Sequence, residues 1–170
     1  LWSLAEGKPI ATFGGNTAAV NAVGVSDDGK WIVAGGADNA VRLWESPKAD
    51  AAAAAIAPTR TFAHPAAVRS ARLNKDGSRL LTGCEDGVFR IWDANTGLHL
   101  ETLAGNSGAA LAACFAPDES YAVTASADRI PRRYVPVVVA GIAAHEGRIA
   151  DVKFSADGAQ VVTAGVHVLA

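Results

Sequence analysis

One feature constrains this chain more than any other: a spacing that recurs four times. Four turns, Asp27-Asp28-Gly29, Lys75-Asp76-Gly77, Pro117-Asp118-Glu119 and Ala156-Asp157-Gly158, set the register. At one fixed distance before the turn aspartate stand Asn16, His64, Asn106 and His145. At a second fixed distance after it stand Asp38, Asp86, Asp128 and His167, and at a third Trp44, Trp92 and Tyr134. A register held without gaps through four copies marks a repeat protein, whose units bury their apolar faces on one another.

Apolar residues follow the same register. First segments carry Val20/Val23/Val25, Val68/Ala71/Leu73, Ala110/Ala113/Phe115 and Ile149/Val152/Phe154. Second segments carry Ile32-Val33, Leu80-Leu81, Ala122-Val123 and Val161-Val162. These runs are short, mostly aliphatic and bounded by Asp-Gly corners, which predicts hairpins. Each copy is therefore expected to be a small antiparallel sheet.

The residues His64, Asp76-Gly77, Thr82-Gly83, Asp86 and Trp92-Asp93 carry a resemblance to the WD-repeat β-propeller family. It covers essentially the whole chain and implies an all-β propeller of four-stranded antiparallel blades, about four blades' worth here. The expected units are 1–15 as the end of one blade, 16–63, 64–105, a degenerate 106–144 and an incomplete 145–170. In copy three, Pro131 falls where Val41 and Phe89 stand, so the strand either slips to use Ile130 inward or is distorted. The excursion at 46–60, with Ala51 to Ala55, suggests a helical turn.

Leu1-Trp2-Ser3 matches Ile91-Trp92-Asp93, so the N-terminus enters part-way through a blade. Lys8 to Phe13 is expected to add the outer strand to the sheet begun by Ile149 to Gly165. Closed rings of the family usually hold seven or eight blades. Two readings therefore stand: two chains exchange ends in an eight-bladed homodimeric ring, or the chain is part of a longer propeller. Methionine is absent, which favours a processed chain or a piece of something longer.

The resemblance also implies a structural tetrad. His64, Asp86 and Trp92 match three of its members, and Cys84 falls at the expected hydroxyl position, with Ser126 in copy three. Asp38, Trp44, Asp128 and His145 are counterparts in other copies, whereas Asn16 and Asn106 replace histidine. On this reading no copy is complete, and copy two is the most stable. A Ser/His/Asp nucleophilic site is the alternative, set aside because the trio lies on repeat positions and copy two has no serine there; no catalytic residue is assigned.

The face on which family members often dock partners corresponds to Asn21, Arg69, Glu85 and Arg148 on an alanine-rich rim. A protein or peptide partner is expected, and neither metal nor cofactor. The four histidines are scattered, no glycine loop has phosphate-cradling spacing, and a net charge of −2 points to no nucleic acid. Arg129, Arg132 and Arg133 are read as a solvated strand face. No apolar run suits a membrane helix, so a soluble protein is expected, the cytoplasm ahead of other compartments. Cys84 and Cys114 are expected as free thiols. The leading reading is a non-catalytic interaction scaffold; the alternatives are a regulatory domain of a larger enzyme and a small-ligand propeller.

Overall fold

The corners determine the fold. Gly29 and Gly77 occupy left-handed backbone at φ 70° and 75°, and Asn39 and Gly87 do so at the next corner of their copies. Glycine and asparagine tolerate that region, so the chain reverses there at little cost. Between corners the aliphatic runs pair. A computed structural model describes residues 1–47, 54–135, 137–141, 149–156 and 160–165.

Among the described residues sixteen strands run β1 (Ala11–Phe13), β2 (Val20–Val25), β3 (Trp31–Gly36), β4 (Ala40–Glu45), β5 (Ala54–Ile56), β6 (Arg60–Ala63), β7 (Val68–Leu73) and β8 (Arg79–Cys84). They continue with β9 (Phe89–Asp93), β10 (His99–Leu103), β11 (Ala110–Phe115), β12 (Ala122–Ser126), β13 (Arg132–Val135), β14 (Val137–Gly141), β15 (Ile149–Phe154) and β16 (Val161–Gly165). Three four-stranded antiparallel blades follow: β2-β3-β4-β6, β7-β8-β9-β10 and β11-β12-β13-β14. A two-stranded sheet, β15-β16, continues the series. The result is an all-β, propeller-like array.

The copies match in register. Ile32 faces Trp44, Leu80 faces Trp92 and Ala122 faces Tyr134. Each first strand is bulged at the same place, between Val20 and Ala22, Val68 and Ser70, Ala110 and Ala112, and Ile149 and Asp151. A bulge adds local twist, here once per innermost strand.

The core lies between blades. Val33, Val41, Leu43 and Phe62 of the first blade meet Val68, Ala71 and Leu80 of the second. Leu81, Phe89 and Leu103 meet Ala110, Ala113 and Tyr134 of the third. Val123 and Ala125 meet Val152 of β15. Stacking is tight: a Cβ on Gly35 would stand 2.6 Å from Val68 Cγ1.

Several expectations need correction. Val20, Val23 and Val25 do not lie in a core; they are 47%, 64% and 59% exposed, because no described inner strand covers that face. The alanine excursion is not helical at Ala54–Ile56, which is strand β5; residues 48–53 lie outside the described set. Ala11–Phe13 does not join the C-terminal sheet but pairs in parallel with β5. Copy three does not slip either. Ile130 is exposed, Pro131 is buried, and the strand simply starts one residue later, where a backbone N–H is again available.

Candidate functional site

The sequence-predicted residues meet best in the second blade. His64 follows β6, Thr82 lies in β8 and Trp92 in β9. The His64 Nδ1–H donates to the Phe62 carbonyl at 3.0 Å, which leaves Nε2 as an acceptor. The Thr82 hydroxyl donates to Nε2 at 2.9 Å. Its oxygen accepts the Trp92 indole N–H at 2.9 Å. Thr82 is fully buried and His64 nearly so. Burial pushes the His64 pKa down to about 4, so the ring is neutral at physiological pH.

This geometry corrects the sequence reading twice. The bridging hydroxyl is Thr82, not Cys84. The two share a face of β8, but Cys84 lies further along, opposite Val68 and against the turn. Burial pushes its thiol up to about 12. Nor does Asp86 orient His64. It pairs with Arg90 at 2.7 Å, while the histidine bonds the carbonyl of Phe62. The second blade therefore has a connected histidine–threonine–tryptophan bracket.

Blades one and three are wired differently. Arg42 Nη1 donates to Asp38 Oδ2 at 2.7 Å and to Asn16 Oδ1 at 3.1 Å. Arg132 Nη1 donates to Asp128 Oδ2 at 2.6 Å and to Asn106 Oδ1 at 3.0 Å. The same aspartates accept the backbone N–H of Thr17 and Ser107, at 3.0 and 2.9 Å. The second blade has Pro65 at that position, which has no N–H to give. Burial raises the Asp38 carboxyl, but the Thr17 N–H and Arg42 outweigh it and hold it below the ordinary value.

In blade three the bridging hydroxyl is Thr124 rather than Ser126, with 3.4 Å to Asn106 Oδ1. Ser126 Oγ is buried with no hydrogen-bond partner among the described residues. Tyr134 replaces the tryptophan, accepting from Asn106 Nδ2 and donating to the Ala104 carbonyl, both at 2.8 Å. In blade one, Ala34 stands where Thr82 does, and the fully buried Trp44 leaves its indole nitrogen without a hydrogen-bond partner among the described residues. Sequence reasoning missed these arginine–aspartate pairs, although an arginine stands four residues after each of Asp38, Asp86 and Asp128.

The other candidates separate. On the expected docking face, Arg69 Nε donates to Glu85 Oε1 at 2.9 Å, an exposed pair at the ends of β7 and β8. Asn21 Nδ2 donates to the Val68 carbonyl at 3.0 Å and so links β2 to β7. His145 and Arg148 lie outside the described residues. The rim is shaped by one bond repeated three times: Ala37 N–H to Ala19 O, Glu85 N–H to Ala67 O and Ala127 N–H to Ala109 O. The three-arginine segment is a solvated face only at Arg129, which is exposed. Arg132 is tied to Asp128, and the Arg133 guanidinium lies 4.0 Å from the centre of the Tyr121 ring with its Nε buried. Among the described residues no three His, Cys, Asp or Glu lie together in a way that could hold a metal ion. Among the described residues no helix is long and apolar enough to cross a membrane.

A family model described as "WD domain, G-beta repeat" matches residues 7–45, 56–93 and 97–132. Each match begins at or just before an outer strand, β1, β6 or β10, and runs on into the third strand of the next blade. A comparison with curated proteins finds no match.

Proposed function

Because this chain belongs to the WD-repeat family, whose repeats generally mediate protein–protein interaction, we propose that it is a non-catalytic scaffold docking a protein or peptide on the Asn21–Arg69–Glu85 face. The observation that carries this reading is the rim itself. Three copies of one backbone bond hold Ala19, Ala67 and Ala109 against Ala37, Glu85 and Ala127 at equivalent positions. Apart from Glu85 the side chains there are small, and the exposed Arg69–Glu85 ion pair lies on it. Such a rigid, shallow surface offers area and backbone edges rather than an enclosing pocket, which suits a peptide or loop. Catalysis is disfavoured because the histidine-linked hydroxyl of Thr82 is sealed inside the blade.

A photo-crosslinking residue at Glu85 or Ala127 tests the proposal, with one at Thr96, on the outer β9–β10 turn, as control. Partner adducts from the first two and not the third support it. Equal adducts from all three, or capture unchanged by the joint Arg69→Ala and Glu85→Ala substitution, overturn it.

A further inference from the structure

The first strands β2, β7, β11 and β15 together wall a cleft of about 270 Å³. It opens beside the proposed docking face, because Asn21 and Arg69 belong to both. Three charged side chains line it: Arg69, Arg72 and Asp151. Two of them are answered locally. Arg69 is paired with Glu85. Asp151 Oδ1 accepts the Val152 N–H at 2.9 Å, and its Oδ2 lies 3.7 Å from Lys153 Nζ. Arg72 is exposed, and its hydrogen bonds within the described residues go to carbonyls, not to a carboxylate. Among the described residues, then, the cleft carries one unbalanced positive charge.

The guanidinium is held ready for a partner. Its Nη1 donates to the Val23 carbonyl at 2.6 Å and to the Ala71 carbonyl at 3.0 Å, which pins it between blades one and two. Those bonds leave the Nε–Nη2 edge, two parallel N–H groups whose spacing matches the oxygens of a carboxylate. Arg69 turns the same edge on Glu85. The fold itself does not require this arginine. The repeat register puts Gly24, Cys114 and Lys153 at its position in the other copies, and their first strands pair and bulge as β7 does.

We propose that Arg72 anchors an acidic side chain of the docked peptide or loop, an Asp or Glu inserted into this cleft with its carboxylate on the Nε–Nη2 edge. This rests on the docking-face reading and names the chemistry of its partner. Size supports a side chain over a free ligand. The cleft is smaller than the roughly 300–1,000 Å³ of small-molecule pockets, yet it takes one side chain and several waters at about 30 Å³ each. Charge supports a carboxylate over a phosphate: one unbalanced cation answers a charge of −1, not the roughly −2 of a phosphoryl group. Pinning the guanidinium beforehand lowers the entropy lost on binding.

Displayed random peptides selected on the 170-residue chain test this. The peptides retained should share an Asp or Glu at one position, and replacing that acid by its amide should weaken binding about tenfold or more. Arg72→Gln, whose amide can still donate to the Val23 carbonyl, should weaken the acidic peptide by a similar factor, and the two losses should not add. Arg72→Lys, which keeps the charge and loses the fork, should fall between. Retained peptides without a common acid overturn the proposal, as does an acid whose amide costs as much on Arg72→Gln as on the unaltered chain. The peptide-side change needs no folded variant, so no loss there overturns it too. Peptides that crosslink through Glu85 without needing an acid remove the anchor and leave the docking face. Acid-dependent binding through Arg72 with no adduct at Glu85 does the reverse, and a selection that retains nothing removes both.

Discussion

Replacing Thr82 by valine probes the physics of the second blade most directly. Valine has threonine's shape, so packing is kept and only the hydroxyl is lost. Two buried groups lose their partner at once: the Trp92 indole N–H and His64 Nε2, each 2.9 Å from the oxygen. A buried polar group left unpaired costs about 1–3 kcal/mol. One of the two already goes unpaired in blade one, at Trp44, so the cost is tolerable. Taking both together gives about 3 kcal/mol, or roughly 6–12 °C in melting temperature for a chain this size. Thr82→Ser keeps the oxygen and should cost about 1 kcal/mol, the value of a methyl group. Denaturant unfolding followed by tryptophan fluorescence measures both. If valine costs no more than serine, the hydroxyl does not bridge the two rings and the bracket is misassigned. The complementary change, Ala34→Thr, gives Trp44 an acceptor and should stabilise blade one by about 1 kcal/mol.

Acid should weaken the fold through His64. An unfolded histidine titrates near 6.5 and this one near 4, so between those values the unfolded chain binds a proton that the folded chain refuses. Its stabilising effect is complete above pH 6.5 and falls by up to roughly 3 kcal/mol as the pH drops to 4; His64→Asn, the residue of blades one and three, should flatten that slope in pH-dependent melts. Glu119 holds left-handed backbone at φ 58° while its carboxylate accepts from Asn74 Nδ2 and Lys75 N–H of the preceding blade, both at 3.0 Å. Glu119→Ala loses the bonds and keeps the strain, whereas Glu119→Gly loses both, so the alanine variant should be less stable by about 1 kcal/mol in equilibrium unfolding. Burial pushes both thiols up to about 12, so Cys84 and Cys114 should resist thiol reagents at pH 8 and react only once the chain unfolds.

Sequence periodicity alone settled a good deal. The Asp-Gly corners and the alternating aliphatic runs specified strand positions, because a turn residue's backbone freedom and a strand's two-residue period are local properties. Repeat spacing placed His64, Trp92 and Asp86 in one blade. Which hydroxyl His64 touches was not local. Thr82 and Cys84 point to the same side of β8, and only the reach of two rings across neighbouring strands selects Thr82. The bond from His64 to Phe62, the arginine partners of Asp38, Asp86 and Asp128, and the strap of β5 on β1 likewise depend on chain segments meeting in space.

Burial showed the same division. Val20, Val23 and Val25 have the pattern of core residues, and the pattern is correct for blades two and three. Whether such a face is covered depends on a neighbouring blade, and no residue encodes the presence of its neighbour. The sequence determined what each unit is, since turns and pleats are written in adjacent residues. Tertiary structure decided how units interlock and which faces stay open, since packing between blades is a property of the array.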